Sequence, residues 1–154
     1  MNSGAAVEIG EARAQDLPAL LPMMRSLAEQ PPALPFGEGE VRAALETFLA
    51  HAELGKAWLL WLGEKPAGYV ILTLGYSFEF RGRDAFIDEL YIEPEFRRTG
   101  LGRRAIEFVE EKARALGLNA LHLEVDRGNG PAVELYRRTG YADHGRHLMT
   151  KWLR

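Results

Sequence analysis

A short run of arginines and glycines in the second half of the chain has the composition of a phosphate-binding turn. The run reads Arg97, Arg98, Thr99, Gly100, Leu101, Gly102 and Arg103. It follows an apolar strand and opens a strongly helical segment, and the N-terminus of a helix has unpaired N–H groups and a partial positive charge. Glycines there let a phosphate approach the backbone closely. The sequence therefore predicts a pyrophosphate site, with a simple tight turn between strand and helix as the alternative.

Two common phosphate motifs fit the run poorly. A Walker loop requires Gly-Lys-Ser/Thr, whereas Gly102 is followed by two arginines. A dinucleotide fingerprint has a third glycine three positions after Gly102, where this chain has Ala105. The fingerprint also accepts alanine at this place, so the spacing excludes it only in part. A dinucleotide fold also begins with a parallel sheet, however, and this chain opens with antiparallel material.

Carboxylates lie in the strand that precedes the turn. Alternation over residues 85–92 predicts one face with Phe86, Asp88, Leu90 and Ile92 and the other with Ala85, Ile87, Glu89 and Tyr91. A carboxylate among apolar neighbours tends to a raised pKa and can act as a base near neutrality. A further candidate acid is Glu124, which lies beside His122 on the polar phase of a later strand.

Hydrophobic periodicity and breaker residues predict the elements that position these groups. Strands are expected at residues 6–13, 57–62, 67–74, 85–92, 119–125 and 147–153, and helices from Asp16, around residues 41–49, at 100–116 and at 131–139. A proline-rich loop joins the first two helices over residues 31–39, and residues 78–84 form a polar connection. We therefore expect an α/β (α+β) fold: one domain over residues 1–154, with a mixed, mostly antiparallel sheet flanked by helices.

Composition limits the partners and the chemistry. The net charge of −3 over 154 residues gives no general reason to expect nucleic acid or an acidic membrane as a partner. The absence of cysteine excludes disulfides, thiolate metal sites and a thiol nucleophile. The four histidines lack paired metal-ligand spacing, so no metal is expected. No apolar run is long enough to span a membrane and residues 1–14 lack a signal-peptide pattern, so we expect a cytoplasmic protein.

Two linked motifs resemble the GNAT superfamily of acyl-CoA N-acyltransferases. The first is Arg97-x-x-Gly100-x-Gly102 after a strand; the second runs from Leu123-Glu124-Val125 through Asn129-Gly130-Pro131 to Tyr136 and Gly140-Tyr141. The resemblance covers about the last half of the chain. It implies that acetyl-CoA is the co-substrate and that the backbone N–H groups from Arg98 to Arg103 hold the pyrophosphate of coenzyme A. It also implies that Leu90, Tyr91 and Ile92 pair with the pantetheine arm, that this strand and the next splay apart, and that Asn129 contacts the cofactor.

The same resemblance implies catalytic roles. Tyr136 would be the general acid that protonates the departing thiolate. Glu89 and Glu124 would be alternative bases for the attacking amine, and Asp88 is a third acid, used in relatives that acetylate polyamines. Backbone donors of residues 90–92 would polarise the thioester carbonyl. Transfer would proceed by direct attack in a ternary complex, because no cysteine is available for a covalent intermediate.

The acceptor is expected to be a small cationic amine. Acids near the proline-rich loop (Glu29, Glu38 and Glu40), together with Glu79, Asp84 and Asp88, would suit a positive charge. A peptide N-terminus or lysine is the alternative acceptor, and a non-catalytic acyl-CoA sensor or regulatory subunit is the alternative from a different class. Relatives are often dimers, so a homodimer is a further expectation.

Overall fold

Five strands form the framework of the computed structural model, which describes residues 6–31 and 33–153. They are β1 Val7–Glu11, β2 Gly55–Leu62, β3 Lys65–Ser77, β4 Gly82–Ile92 and β5 Ala120–Leu123. The sheet has the order β1-β2-β3-β4-β5. The first four strands pair antiparallel and β5 pairs parallel with β4. The prediction of a mixed, mostly antiparallel sheet is confirmed, with a β3–β4 connection shorter than expected.

Helices α1 Leu17–Ala28, α2 Glu38–Ala50, α3 Leu101–Ala115 and α4 Gly130–Arg138 accompany the sheet in the described part of the chain. Short 3-10 turns, Ala14–Asp16 and Pro94–Phe96, precede α1 and α3. Local signals set the helix ends: Pro18 lies in the first turn of α1, and Gly117, with φ of +69°, follows the end of α3. Pro32, in the predicted proline-rich loop, lies outside the described residues.

Helices cover both faces of the central strands. Buried side chains of α1 and α2 pack with Leu59, Ile71 and Tyr91 on one face. On the other face, Phe108 of α3 meets Trp58 of β2 with ring centroids 5.6 Å apart. Strands covered on both faces carry nearly continuous apolar runs, which explains why β2 and β3 show little alternation.

A one-residue bulge in β4 corrects the predicted faces of that strand. Ile71 pairs with Glu89 whereas Leu72 pairs with Ile87, so Asp88 is the extra residue. A bulge shifts the side-chain phase of everything beyond it. Glu89 and Tyr91 therefore share the α1–α2 face with Phe86. Ile87 lies on the opposite face, and the predicted grouping of Ile87 with Glu89 and Tyr91 is wrong.

The chain divides into two compact units, one ending at Glu124 and the other beginning at Val125. The second contains α4 and a C-terminal segment in which residues 141–153 form neither helix nor strand. The predicted strand at residues 147–153 is therefore wrong. That segment mixes apolar and charged residues without alternation, and its large apolar side chains, such as Trp152, are exposed.

Candidate acetyl-transfer site

The parallel pairing between β4 and β5 ends midway along β4. Their parallel pairing ends at Ile87 and Leu123, whereas β4 continues against β3 as far as Ile92. The N–H of Glu93 donates to β3 at 2.9 Å. Backbone groups alternate in direction along a strand, so those of Leu90 and Ile92 turn to the side that β5 has left. The pairing thus stops where β5 ends, and beyond Ile87 this edge of β4 has no strand partner within residues 6–31 and 33–153.

Arg97 is anchored to the same edge. Its Nε donates to the carbonyl of Ile92 at 2.9 Å, and its guanidinium lies 5.6 Å from the centre of the Tyr91 ring. A guanidinium over an aromatic face is attracted by the ring quadrupole. These two contacts fix the chain immediately before the glycine turn, which we define as residues 98–103, relative to the end of β4.

The glycine turn has a backbone suited to an anion. Arg98 and Gly100 both have positive φ, of 63° and 88°, and Thr99 Oγ1 between them donates to the Phe96 carbonyl at 2.6 Å. A Cβ at Gly100 would meet no atom within 4 Å, so the space above it is open. The first turn of α3 has no acidic residue to compete for its N–H groups. Such N–H groups at a helix start bind phosphates readily.

The remaining residues of the glycine turn have different structural roles. Leu101 is buried and starts α3, with Gly102 and Arg103 following in its first turn. Arg103 Nε donates to Glu107 Oε1 at 2.8 Å in an exposed i,i+4 pair. The side-chain charge of Arg103 is therefore shared with Glu107, and its backbone N–H is the group aligned with the helix start.

Glu89 is the carboxylate that β4 presents on the α1–α2 face. The hydroxyl of Tyr69, a fully buried residue of β3, donates to Glu89 Oε2 at 2.8 Å. Burial raises the pKa of the Glu89 carboxyl, the charge of Asp88 raises it further, and the bond from Tyr69 opposes the rise. A carboxyl of this kind takes up a proton at a higher pH than an exposed one.

The other predicted acids are more exposed. Asp88 projects from the bulge, next to Glu89, and is exposed. Glu124 follows the end of β5 and is exposed as well. Only Glu89 among these three combines burial with a fixed hydrogen-bond partner.

The second unit carries Asn129 and Tyr136. Asn129 caps α4, with its Oδ1 accepting from the N–H of Ala132 at 3.3 Å. Tyr136 lies in that helix with its ring 6.0 Å from that of Tyr141, at an interplanar angle of 67°. Burial raises the pKa of the Tyr136 hydroxyl. This hydroxyl is therefore protonated at neutral pH.

Two partners in the site were missed from the sequence. Tyr69 was not singled out, because only the β3–β4 register brings it to Glu89. The sequence likewise does not identify the partner of His122, whose Nε2 lies 3.0 Å from Oδ2 of Asp84, 38 residues away. The polar phase shared by His122 and Glu124 was the one available signal.

Two further features, a metal cluster and a membrane-spanning helix, are absent from the described ranges. Residues 6–31 and 33–153 contain no cluster of three or more His, Cys, Asp or Glu side chains that could hold a metal ion. No helix in those ranges has the length and apolar character needed to cross a membrane.

Comparison with known proteins decides the family. The family model described as the acetyltransferase (GNAT) family matches residues 21–141. The chain belongs to the GNAT acetyltransferase family. The match includes both motifs and all the elements from most of α1 to the end of α4, so the sequence-based resemblance to GNAT proteins is confirmed.

The names of two curated relatives of this GNAT protein specify different acceptors. It is 30% identical over 148 residues to a thialysine N-epsilon-acetyltransferase of Bos taurus, a match spanning 90% of this chain and 86% of the relative. It is 32% identical over 92 residues to an IAA acetyltransferase of Azospirillum brasilense. That second match spans 60% of each protein, less than two thirds of the relative's length.

Solved structures share the GNAT fold. Integron cassette protein HFX_CASS3, from the mobile metagenome of Cole Harbour Salt Marsh, is 31% identical with a TM-score of 0.82, over 95% of this chain and 90% of that one. A possible acetyltransferase from Clostridium difficile 630 gives a TM-score of 0.84 at 18% identity, over 96% and 97% of the two chains. At that identity the second likeness concerns the fold alone.

Members of the family use acetyl-CoA, and the residues present fit such a co-substrate. The open space at Gly100, the positive φ of Arg98 and the acid-free start of α3 fit a pyrophosphate. The edge of β4 that β5 has left fits an extended amide-containing arm, as in the addition of a strand to a sheet edge.

Proposed function

We propose that this GNAT protein transfers an acetyl group from acetyl-CoA to a primary amine, by direct attack within a ternary complex. The observation that carries the proposal is Glu89: a partly buried carboxyl, bonded to Tyr69, directly before the strand edge that β5 leaves open. An amine arrives as an ammonium ion and must lose a proton before it attacks. The raised pKa of Glu89, caused mainly by burial, suits it to accept that proton near neutral pH.

The glycine turn and the edge of β4 would hold the co-substrate. Backbone N–H groups of Arg98 to Arg103 would bind the pyrophosphate, and residues 90–92 would pair with the pantetheine arm. Asn129 would contact the co-substrate in addition to capping α4. Arg97 supports both parts, because it ties the end of β4 to the start of the glycine turn. The bound acetyl-CoA supplies an activated acyl group as a thioester.

The proposed proton transfers balance the reaction. Glu89 receives the proton that the ammonium group loses before attack, and the nitrogen releases a second proton to solvent as it bonds to the carbonyl carbon and the carbon–sulfur bond breaks. The leaving thiolate takes a proton from Tyr136, which regains one from solvent. Burial keeps the Tyr136 hydroxyl protonated at neutral pH, which is the form that a general acid requires. Glu124 is the second candidate base. Its side chain is exposed, so the burial that supports Glu89 is missing there and the support for Glu124 is weaker.

A small cationic amine is the acceptor that the charges support. Asp88 and Glu89 lie side by side on β4, with Asp88 exposed at the bulge. Two other acids of the predicted acceptor region are already paired: Glu38 lies 2.7 Å from Arg25, and Asp84 lies 3.0 Å from His122. The bulge instead offers a cation two adjacent carboxyl groups. The name of the bovine relative, a thialysine acetyltransferase, is consistent with such an acceptor.

A free-thiol assay over a panel of acceptors tests the proposal. Diamines, basic amino acids, neutral amines and a lysine-containing peptide would be offered with acetyl-CoA, and release of coenzyme A would be followed. Turnover with the small cationic amines supports the proposal, and turnover with the peptide alone would favour the protein acceptor instead. Binding of acetyl-CoA without turnover on any amine would favour a sensor.

We further take the two compact units as parts of one catalytic domain. The family model crosses the division at Glu124 without interruption, and the two proposed proton-transfer residues, Glu89 and Tyr136, lie in different units. Limited proteolysis with and without coenzyme A would test this, because one domain should become resistant as a whole when the ligand binds.

A further inference from the structure

A carboxylate–imidazole pair joins β4 to β5 outside the predicted catalytic set. His122 Nε2 lies 3.0 Å from Asp84 Oδ2, and Asp84 is only 8% exposed. The rings of Phe80 and Phe86 approach the imidazole, with centroids 4.8 Å and 5.0 Å away. Three neighbours therefore fix the orientation of this ring.

Glycines and an asparagine make room for the pair. A Cβ at Gly75 of β3 would lie 2.7 Å from Asp84 Oδ1, too close for any real side chain. A Cβ at Gly82 would lie 2.7 Å from Asn119 Nδ2, the atom that holds the Phe80 carbonyl at 3.0 Å. The backbone around the pair is thus built to accept it, and a larger residue at position 75 would displace the carboxylate.

The pair lies on the same side of the sheet as Glu89 and next to the point where the strands diverge. Phe86 pairs with His122, one residue before the last paired position of β4 and β5. The bulge at Asp88 brings Glu89 onto the face of Phe86, and hence onto the face of His122. Two potential proton acceptors, a carboxylate and an imidazole, therefore flank the opening of the cleft on one face.

The geometry of the pair assigns separate tasks to the two ring nitrogens. Asp84 engages Nε2, which leaves Nδ1 to accept a proton, and no hydrogen bond to Nδ1 is found within residues 6–31 and 33–153. A carboxylate in this position sets the tautomer and stabilises the imidazolium that forms. Along the chain, Glu124 lies two residues beyond His122, and Glu79 and Arg81 flank Phe80 in the turn before β4.

We propose that His122, oriented by Asp84, is a second base of the acetyl-transfer site that takes a proton from the acceptor's ammonium group. The inference rests on the proposed function. The acceptor nitrogen loses two protons in the reaction, and Glu89 receives one of them. For the other, the N–H bond breaks, Nδ1 of His122 gains the proton, and the electron pair stays on the nitrogen. Asp84 is a positioning residue, since it acts through the imidazole.

The test compares His122→Gln and Asp84→Asn with a matched control, His51→Gln, at an exposed histidine that caps the end of α2. The value of kcat/KM for the best amine of the acceptor panel would be measured from mildly acidic to alkaline pH. We expect His122→Gln to lower it about 100-fold at neutral pH, the size of a lost general base. The deficit should shrink as pH rises, because more amine is then already deprotonated. Asp84→Asn should give a smaller loss of the same form.

Two further readouts separate catalysis from structure. Calorimetric affinity for coenzyme A should be unchanged in both variants, and nitrogen NMR of His122 should show the Nε2–H tautomer in the wild type and a mixture in Asp84→Asn. If His122→Gln does not fold, the isosteric Asp84→Asn decides. Full activity of the folded variants, or a deficit equal at every pH, overturns the inference. A wild-type chain that binds no coenzyme A contradicts the proposed function instead.

Discussion

Tyr69→Phe is the sharpest perturbation of the proposed base. It keeps the buried ring and removes only the hydroxyl that donates to Glu89 Oε2 at 2.8 Å. A hydrogen bond to a charged group is worth about 1.5–3 kcal/mol. Losing this hydrogen bond destabilises the ionised form of Glu89. The proton affinity of the Glu89 carboxylate should therefore rise about 10- to 100-fold, at about 1.4 kcal/mol per tenfold.

The increased proton affinity of Glu89 determines the direction in which kcat/KM changes. The pKa of Glu89 is already raised by burial, and the bond from Tyr69 is the contact that lowers it. Without the hydroxyl, the carboxyl is protonated over a wider pH range and is unable to act as a base there. We expect kcat/KM on the acidic side of the profile to fall about 10- to 100-fold, with recovery at alkaline pH.

The assay is release of coenzyme A thiol across a pH series. Tyr76→Phe is the matched control, because Tyr76 lies on the same strand and is 67% exposed. Its profile should coincide with that of the wild type. An acidic limb that stays in place in Tyr69→Phe, with the protein folded, would refute the assignment of Glu89 as the base.

Three other perturbations test the remaining parts. Gly100→Val should lose about 1–2 kcal/mol of stability from a side chain at φ of +88° and also lose coenzyme A affinity by calorimetry. Gly117→Val, at φ of +69° beyond the other end of α3, should lose stability alone, and equal affinities in the two variants would rule out the glycine turn as the phosphate site. Tyr136→Phe should reduce kcat while preserving coenzyme A affinity, and unchanged turnover would remove its hydroxyl from the mechanism. Glu89→Gln should remove a pH-dependent contribution to the free energy of unfolding. Because the pKa of Glu89 is raised in the folded chain, this contribution is fully present below the ordinary carboxyl value of 4.5 and is lost as pH rises through the pKa of the folded state. Urea unfolding at acidic and neutral pH measures it, and an identical pH dependence in the variant would contradict the buried carboxyl.

Features encoded locally were predictable from the sequence. The glycine turn follows from residue types at fixed offsets, since glycine alone adopts the left-handed backbone at a helix start without strain, and Gly100 does so with φ of +88°. The span of α3, from Leu101 to Ala115, follows from its apolar periodicity and the glycine beyond its end. These signals act over a few residues and do not depend on the rest of the fold.

Features set by pairing between distant strands were not predictable. The bulge at Asp88 has no local signature, yet it moves Glu89 relative to Ile87. The partners Tyr69 and Asp84 reach Glu89 and His122 through strand register, over separations of 20 and 38 residues. The strand predicted at residues 147–153 failed for the converse reason: β-prone residues form a strand only where a neighbouring strand pairs with them.

A thermal-shift titration with acetyl-CoA, with NADH as the control nucleotide, tests the central claim most directly. A ligand that binds only the folded chain adds about 2.7 kcal/mol at a concentration of 100 times its Kd. For a chain of this size that corresponds to a rise in Tm of about 5–10 °C. A saturable rise with acetyl-CoA and none with NADH is the predicted result. Equal behaviour with the two nucleotides, or no rise with acetyl-CoA, would contradict an acyl-CoA site at the glycine turn.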